Sequence, residues 1–227
     1  MSGSPHLQAP PGMATVYRAT LDALAVYGPR RVGVTHIARL AGTNRPFLYR
    51  NWASPRVLLR DATLHELTRL LDTAREVPGP LPPPRCCAVR VVVRAARLLR
   101  EHPVVGAMAR TEPALTYAAI LCLTTVWHQK AWHWLGEHVT GHLPRGSEQD
   151  TVTLSVLTAA MPYALIPSQS SPDPAVERAA IDRRLSQVVH ACLGLPPACS
   201  DCAAAGTPCP GGGPGSPTAA PPPRFSP

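Results

Sequence analysis

The dipeptide Ala41-Gly42 narrows what this chain can fold into more than any other feature. It separates two short runs with helical spacing, and a tight turn between helices favours a residue that tolerates positive φ, which Gly does because it has no Cβ to clash. Upstream, Ile37, Leu40 and Ala41 recur at helical spacing and are expected to face inward, while Ala38 is small enough to let a second helix cross closely. Downstream, Asn44 offers a side-chain oxygen as an N-cap, and Pro46 suits the first turn, where a missing N–H costs nothing. Leu48 and Trp52 are four apart and make an inward face, which leaves Arg45, Phe47, Tyr49 and Arg50 to point outward. Ser54 caps the next helix, Pro55 opens it, and Val57, Leu64, Leu67 and Leu71 mark its apolar stripe. From Gly33 to Arg60 the pattern is two short helices, a tight turn between them and a third helix directly after. That is a helix-turn-helix layout, the kind whose second helix enters a DNA major groove.

The stretch from Val16 to Leu59, VYRATLDALAVYGPRRVGVTHIARLAGTNRPFLYRNWASPRVLL, resembles the N-terminal domain of the TetR family of transcriptional regulators. The resemblance is carried by the turn at Ala41 and Gly42, by Leu48-Tyr49-Arg50, and by the aromatic Trp52 before Ser54, all in order and at the family's spacing. It implies an all-α homodimer. An N-terminal three-helix DNA-binding domain would be joined by a long helix to a C-terminal helical domain for dimerisation and ligand sensing, about nine helices in all. It also implies a repressor on a palindromic operator, released by a small-molecule effector. Three positions depart from the family pattern. Gly33 stands where a Thr usually caps the second helix, Phe47 replaces a Thr that would bond a phosphate, and Pro55 replaces a Lys, with Arg56 supplying charge one residue later. The residues expected on DNA are Thr43, Asn44, Arg45, Phe47, Tyr49, Arg50 and Arg56. Arg45, in the first turn, is expected on a guanine, and Tyr49 and Arg56 on phosphates.

Charge agrees with a polyanionic partner. The chain carries a formal net charge of +8 with a pI near 9.5, and between Ala14 and Asp61 eight Arg stand against two Asp.

Around this unit the chain divides as follows. Residues 1–12 are rich in Pro, Ser and Gly and are expected to be disordered. Val16, Thr20, Leu24 and Tyr27 mark a first helix that Gly28 and Pro29 stop. The DNA-binding domain is placed at 13–71, with its motif at about 34–53, and a helical ligand and dimerisation domain at 72–194. The Pro-rich run Val77–Arg85 breaks the fourth helix from a fifth. Ala114 to Val139 reads as one long helix bearing three Trp and three His. Its aromatic face is expected to pack in the core and to line an effector cavity against the fourth helix, with Tyr117, Trp127, His128 and Trp134 as the candidate ligand contacts. Helices over 148–165 and 173–193 follow. The first is apolar nearly all round, more than one neighbour could bury, and the second buries Ile181, Leu185, Val188, Val189 and Cys192 while exposing Arg178, Asp182, Arg183 and Gln187. In the family the last two helices form a four-helix bundle with their copies, so Leu157, Met161, Leu185 and Val189 are the expected dimerisation residues. The tail 195–227 is Pro, Gly, Ala and Ser with little else and is expected to be disordered.

Other chemistry is thin. Cys199, Cys202 and Cys209 resemble half a zinc site with no second pair or His following. His138 and His142, four apart near Glu137 and Cys122, read as a surface pair at a helix end. No nucleophile elbow, Walker loop, dinucleotide fingerprint or HExxH motif is present, so no enzyme, cofactor or metal is expected. The odd count of seven Cys with no secretion signal suggests reduced thiols in a cytoplasm, and the uncharged run within Thr151–Pro172 is too short in its apolar part to span a membrane. The expected partners are double-stranded DNA, a second copy of the chain and an unidentified small molecule. Two other classes stay open at this level: a metal- or redox-responsive regulator using Cys and His, and a small-molecule-binding protein whose helix-turn-helix no longer reads DNA.

Overall fold

A computed structural model of the chain describes residues 12–76, 84–114, 125–141, 143, 146–165 and 173–195. These residues form nine helices and no strand. They are α1 (Met13–Tyr27), α2 (Val34–Leu40), α3 (Arg45–Asn51), α4 (Pro55–Arg75), α5 (Pro84–Arg100), α6 (Pro103–Thr111), α7 (Val126–His138), α8 (Ser147–Leu165) and α9 (Pro174–Cys192).

Two apolar clusters organise them. The smaller joins Val16, Ala19 and Ala23 of α1 to Ile37 and Ala38 of α2, Leu48 of α3, Trp52 and Leu58. The larger joins α4, α5, α7, α8 and α9 around the valine row of α5, which packs against α4, α8 and α9 at once. Helix α4 serves both: Leu58 lies in the first cluster, and Leu67, Leu71 and Ala74 lie in the second. The helix that follows the helix-turn-helix is therefore also a wall of the C-terminal core.

The buried row of α4 is Leu58, Ala62, Leu67, Leu70, Leu71 and Ala74, with Glu66 among them. Val57 and Leu64, expected on that row, are only half-buried, because the helix presents the face one residue round. Glu66 is tolerated inside because Arg69 grips its carboxylate, with Nε donating at 2.9 Å, and Nε2 of His102 lies 3.2 Å away. Burial alone would push the Glu66 carboxyl up. The hydrogen bond and charge of Arg69, with the help of His102, outweigh it and hold the carboxyl below its ordinary value.

Helix α6 follows α5 in the chain yet docks on α1. Its N-terminus is capped by His102, whose Nδ1 accepts the Val104 N–H at 3.3 Å while Nε2 faces Glu66. At its other end Glu112 pairs with Arg30 at 2.9 Å, and Thr111 presses on Gly28. Gly28 ends α1 at φ 72, with its N–H on the Leu24 carbonyl. A Cβ there would lie 2.7 Å from Thr111 Oγ1, so both the turn and the close approach require glycine.

An ion cluster locks α5, α8 and α9. The Arg100 side chain is 1% exposed, and it donates to Asp182 Oδ1 and to the Tyr163 carbonyl, each at 2.8 Å. Arg97 donates from Nε to the other Asp182 oxygen at 2.7 Å. Asp182, expected at the surface of the last helix, is buried for this reason. Ile181, Val188 and Cys192 are half-buried, and only Leu185 and Val189 of the expected apolar set are fully inside.

The expected single helix from Ala114 to Val139 is not continuous. Thr125 is extended (φ −75, ψ 155) and caps α7 with its side chain, so the helix begins at Val126. Residues 115–124, with Tyr117 and Cys122, lie outside the described residues, as do residues 1–11, His142 and the tail cysteines Cys199, Cys202 and Cys209.

Candidate nucleic-acid interface

Helix α3 is short, and its exposure is built residue by residue. Gly42, at φ 63, closes the turn, with the Thr43 N–H bonded back to the Ala38 carbonyl at 2.9 Å. Asn44 Oδ1 accepts the Phe47 N–H at 2.9 Å, which is the cap the sequence called for, and Pro46 sits in the first turn. At the far end Ser54 caps α4 by accepting the Val57 N–H at 3.3 Å. Leu48 and Trp52, 2% and 5% exposed, anchor the helix to the α1–α2 core, although Trp52 already stands in extended backbone after the last turn. Burying a side chain of this size is worth about 1.5–3 kcal/mol, enough to fix which way a two-turn helix faces.

That anchoring decides what is left outside. Asn44, Arg45, Tyr49, Arg50 and Arg56 are exposed, and Thr43 is half-buried. Arg45 and Tyr49 lie one turn apart and form one outward row, with Arg50 on the adjoining side. Arg39 of the neighbouring α2 is also exposed, so the surface beside α3 is basic.

Two expected orientations differ. Phe47, expected to point outward, is half-buried and packs against the same core, because it adjoins the Leu48 anchor on a short helix. Leu40, expected inside, is 47% exposed, while Ile37, Ala38 and Ala41 reach the core. No side chain caps α2 at Gly33, and the entry to that helix is held instead by a residue that pattern reading passed over. His36 Nδ1 accepts the Gly33 N–H at 3.4 Å, and its ring stacks on Tyr27 at 4.3 Å, tying α2 to α1. A His three residues after an uncapped helix start was the available signal.

The candidate ligand residues lie on two faces of α7. Trp127 donates from Nε1 to Thr63 Oγ1 of α4 at 3.1 Å and is 40% exposed. Trp134 is buried in the large core, with His138 edge-on at 5.7 Å. His128 is buried beside Thr125, and burial pushes its imidazole below the usual range. Burial likewise lowers His138, with Arg75 adding to the effect. An open polar cleft lies elsewhere, between α5 and α9, lined by Arg97, Glu101, Arg178 and Asp182. Among the described residues no group of three His, Cys, Asp or Glu is placed to hold a metal ion, and no helix is long and apolar enough to cross a membrane.

The expected dimerisation residues fall inside the protomer. Leu157, Leu185 and Val189 are core residues of this one chain, and Met161 packs half-buried against the same core. The reason is α5: its valine row takes up the apolar faces of α8 and α9 that the sequence left without a partner. On α8 the outward side chains include Glu148, Asp150, Thr151, Leu154, Ser155 and Thr158, and on α9 they include Arg183, Arg184 and Gln187.

The described residues form an all-α chain with an N-terminal helix-turn-helix, whose fourth helix is shared with a larger helical body. A solved structure provisionally assigned as a TetR-family transcriptional regulator, from Mesorhizobium loti, superimposes with a TM-score of 0.50 over 80% of this chain and 95% of that one, at 13% identity. Over 104 residues, 45% of its length, the chain is 31% identical to uncharacterized HTH-type transcriptional regulators from two strains of Mycobacterium tuberculosis. The chain spans about half the length of these relatives, 52%. No protein-family model matches it. The superposition shows a fold shared over most of the chain.

Proposed function

We propose that this protein is a transcriptional regulator, a repressor that binds a palindromic operator in the cytoplasm as a homodimer and is released by a small molecule. The observation that carries the reading is the row on α3. Arg45, Tyr49 and Arg50 stand exposed on a helix capped at its start and anchored behind by Leu48 and Trp52. Arg45 reads a guanine, a contact worth about 1–3 kcal/mol of discrimination. Tyr49 and Arg56 hold phosphates, with Thr43 and Asn44 beside them at the turn, and Arg50 reaches either wall of the groove. Phe47 contributes only the exposed edge of its ring, to a sugar or a thymine methyl. The two-fold partner meets the outward faces of α8 and α9. The effector lies between α4 and α7, where Trp134 and His128 are buried.

Selection of bound sequences from random duplexes tests this. A palindromic site is expected. Arg45→Ala should then relax preference at one base pair per half-site, and Arg56→Ala should weaken all sequences alike and reduce the salt slope by about one unit per protomer. Recovery of no preferred sequence at low salt would rule the reading out.

A further inference from the structure

The open cleft between α5 and α9 has a volume of about 320 Å³, and Arg97, Glu101, Ala175, Arg178, Ala179 and Asp182 line it together. Its charges are unevenly used. Both oxygens of Asp182 are taken: Arg100 donates to Oδ1 at 2.8 Å, and Arg97 donates from Nε to Oδ2 at 2.7 Å. One carboxylate thus serves two guanidinium groups, and Nη1 of Arg97 has no partner among the described residues. Arg178 is engaged less. Its Nη1 stands 3.8 Å from Glu101 Oε1, too far for a hydrogen bond, and it has no other partner among the described residues. The side chains of that pair are 48% and 42% exposed, so water screens the attraction and the pair is weak.

These facts set the chemistry of an occupant. Three cations, Arg97, Arg100 and Arg178, stand against two carboxylates, Asp182 and Glu101, and Asp182 is already saturated. A cationic ligand would meet this surplus of like charge. A carboxylate matches it, because its two oxygens fit the fork of one guanidinium. The rest of the lining is the methyl groups of Ala175 and Ala179, one helical turn apart, which suits a short apolar body. Arg183, Arg184 and Gln187 lie off the row of α9 that lines the cleft, so the faces proposed for the two-fold partner leave it open.

We propose that the α5–α9 cleft binds a small organic carboxylate, gripped by the Arg178 fork with Arg97 beside it and with Glu101 displaced. The site is separate from the α4–α7 region given to the effector, and it does not rest on the regulator reading. The ligand links α5 to α9 beside the Arg100–Asp182 lock, so its binding stabilises the fold.

Equilibrium dialysis and thermal melting of the full chain test this, at fixed ionic strength so that screening does not imitate competition. The probes are benzoate, benzyl alcohol and benzylamine, which share one ring and carry an anion, a neutral hydroxyl and a cation, together with inorganic phosphate. Benzoate should bind about tenfold more tightly than benzyl alcohol, the effect of one charge-assisted fork, and should raise the melting temperature. Two variants should then move in opposite directions. Arg178→Gln should bring the ratio to about one. Glu101→Gln should tighten benzoate about threefold by removing the competing carboxylate, and leave benzyl alcohol unchanged. Neither side chain belongs to the buried lock, and circular dichroism checks that both variants fold. If Arg178→Gln does not, Arg178→Lys keeps the charge without the fork and should still weaken benzoate. Equal binding of benzoate and benzyl alcohol, or tightest binding of benzylamine or phosphate, would overturn the proposal. So would no benzoate binding at millimolar concentration, a preference that survives loss of the Arg178 fork, or a Glu101→Gln protein that binds benzoate no more tightly.

Discussion

Asp182 is one carboxylate serving two guanidinium groups, and removing its charge is expected to be among the most costly single changes in the C-terminal core. Arg100 is the reason. Its side chain is 1% exposed, its Nε has no partner, and apart from Asp182 it donates to one backbone carbonyl, that of Tyr163. In Asp182→Asn the shape is kept, so no cavity forms and the loss reports the charge. Breaking one side of a buried ion pair leaves the other charge uncompensated and costs about 3–5 kcal/mol. Arg97 adds little, because its side chain is 49% exposed and screened by water, and such pairs contribute at most about 1 kcal/mol. Against a total stability of about 5–15 kcal/mol this is a large fraction, and the melting temperature should fall by roughly 10 °C. The assay is urea unfolding followed by circular dichroism for Asp182→Asn, Arg100→Met and the pair Arg100→Met with Asp182→Leu. The pair should recover most of the loss, since apolar residues of similar volume often replace a buried ion pair without penalty. A loss below about 1 kcal/mol in Asp182→Asn, or a double variant no more stable than the single one, would refute the reasoning.

Four further outcomes are expected. Asn44→Ala should cost about 1 kcal/mol and speed hydrogen exchange at the Phe47 amide, because it deletes the α3 cap; unchanged exchange there would mean the cap is not used. Gly28→Ala should cost about 1–3 kcal/mol in a melting experiment through its backbone strain, and Thr111→Ala should relieve only the added clash. Leu157→Arg should unfold the protomer, seen as lost helical signal, whereas Leu154→Arg on the outward face should stay folded and, if the proposed dimer uses α8, halve the mass measured by light scattering. Glu66 has a depressed carboxyl, so its contribution is fully present above the unfolded value, about pH 4.3, and is lost as pH falls through the lower folded value. Glu66→Gln should therefore be less stable than the parent at neutral pH and converge with it in acid.

The sequence by itself determined the local geometry of the helix-turn-helix. Turn and cap at Gly42 and Asn44 act over five residues or fewer, so residue type and spacing were sufficient there, and the inward face of Leu48 followed from its spacing to Trp52, while the all-α class came from the resemblance to a known family. What the sequence left open needed partners distant along the chain. Apolar residues on α8 and α9 looked like a face for a second copy, yet α5, about sixty to a hundred residues earlier, covers Leu157, Leu185 and Val189. Asp182 read as surface because polarity alone cannot show two arginines 82 and 85 residues away. Phe47 and Leu40 sit on helices of seven residues, too short for a periodicity to fix rotation to better than one position. That Nε2 of His128 and Nε1 of Trp134 are buried without a hydrogen-bond partner among the described residues was beyond pattern altogether. Whether a buried polar atom is satisfied depends on which atoms the folded core brings within hydrogen-bonding distance, and only the tertiary structure decides that.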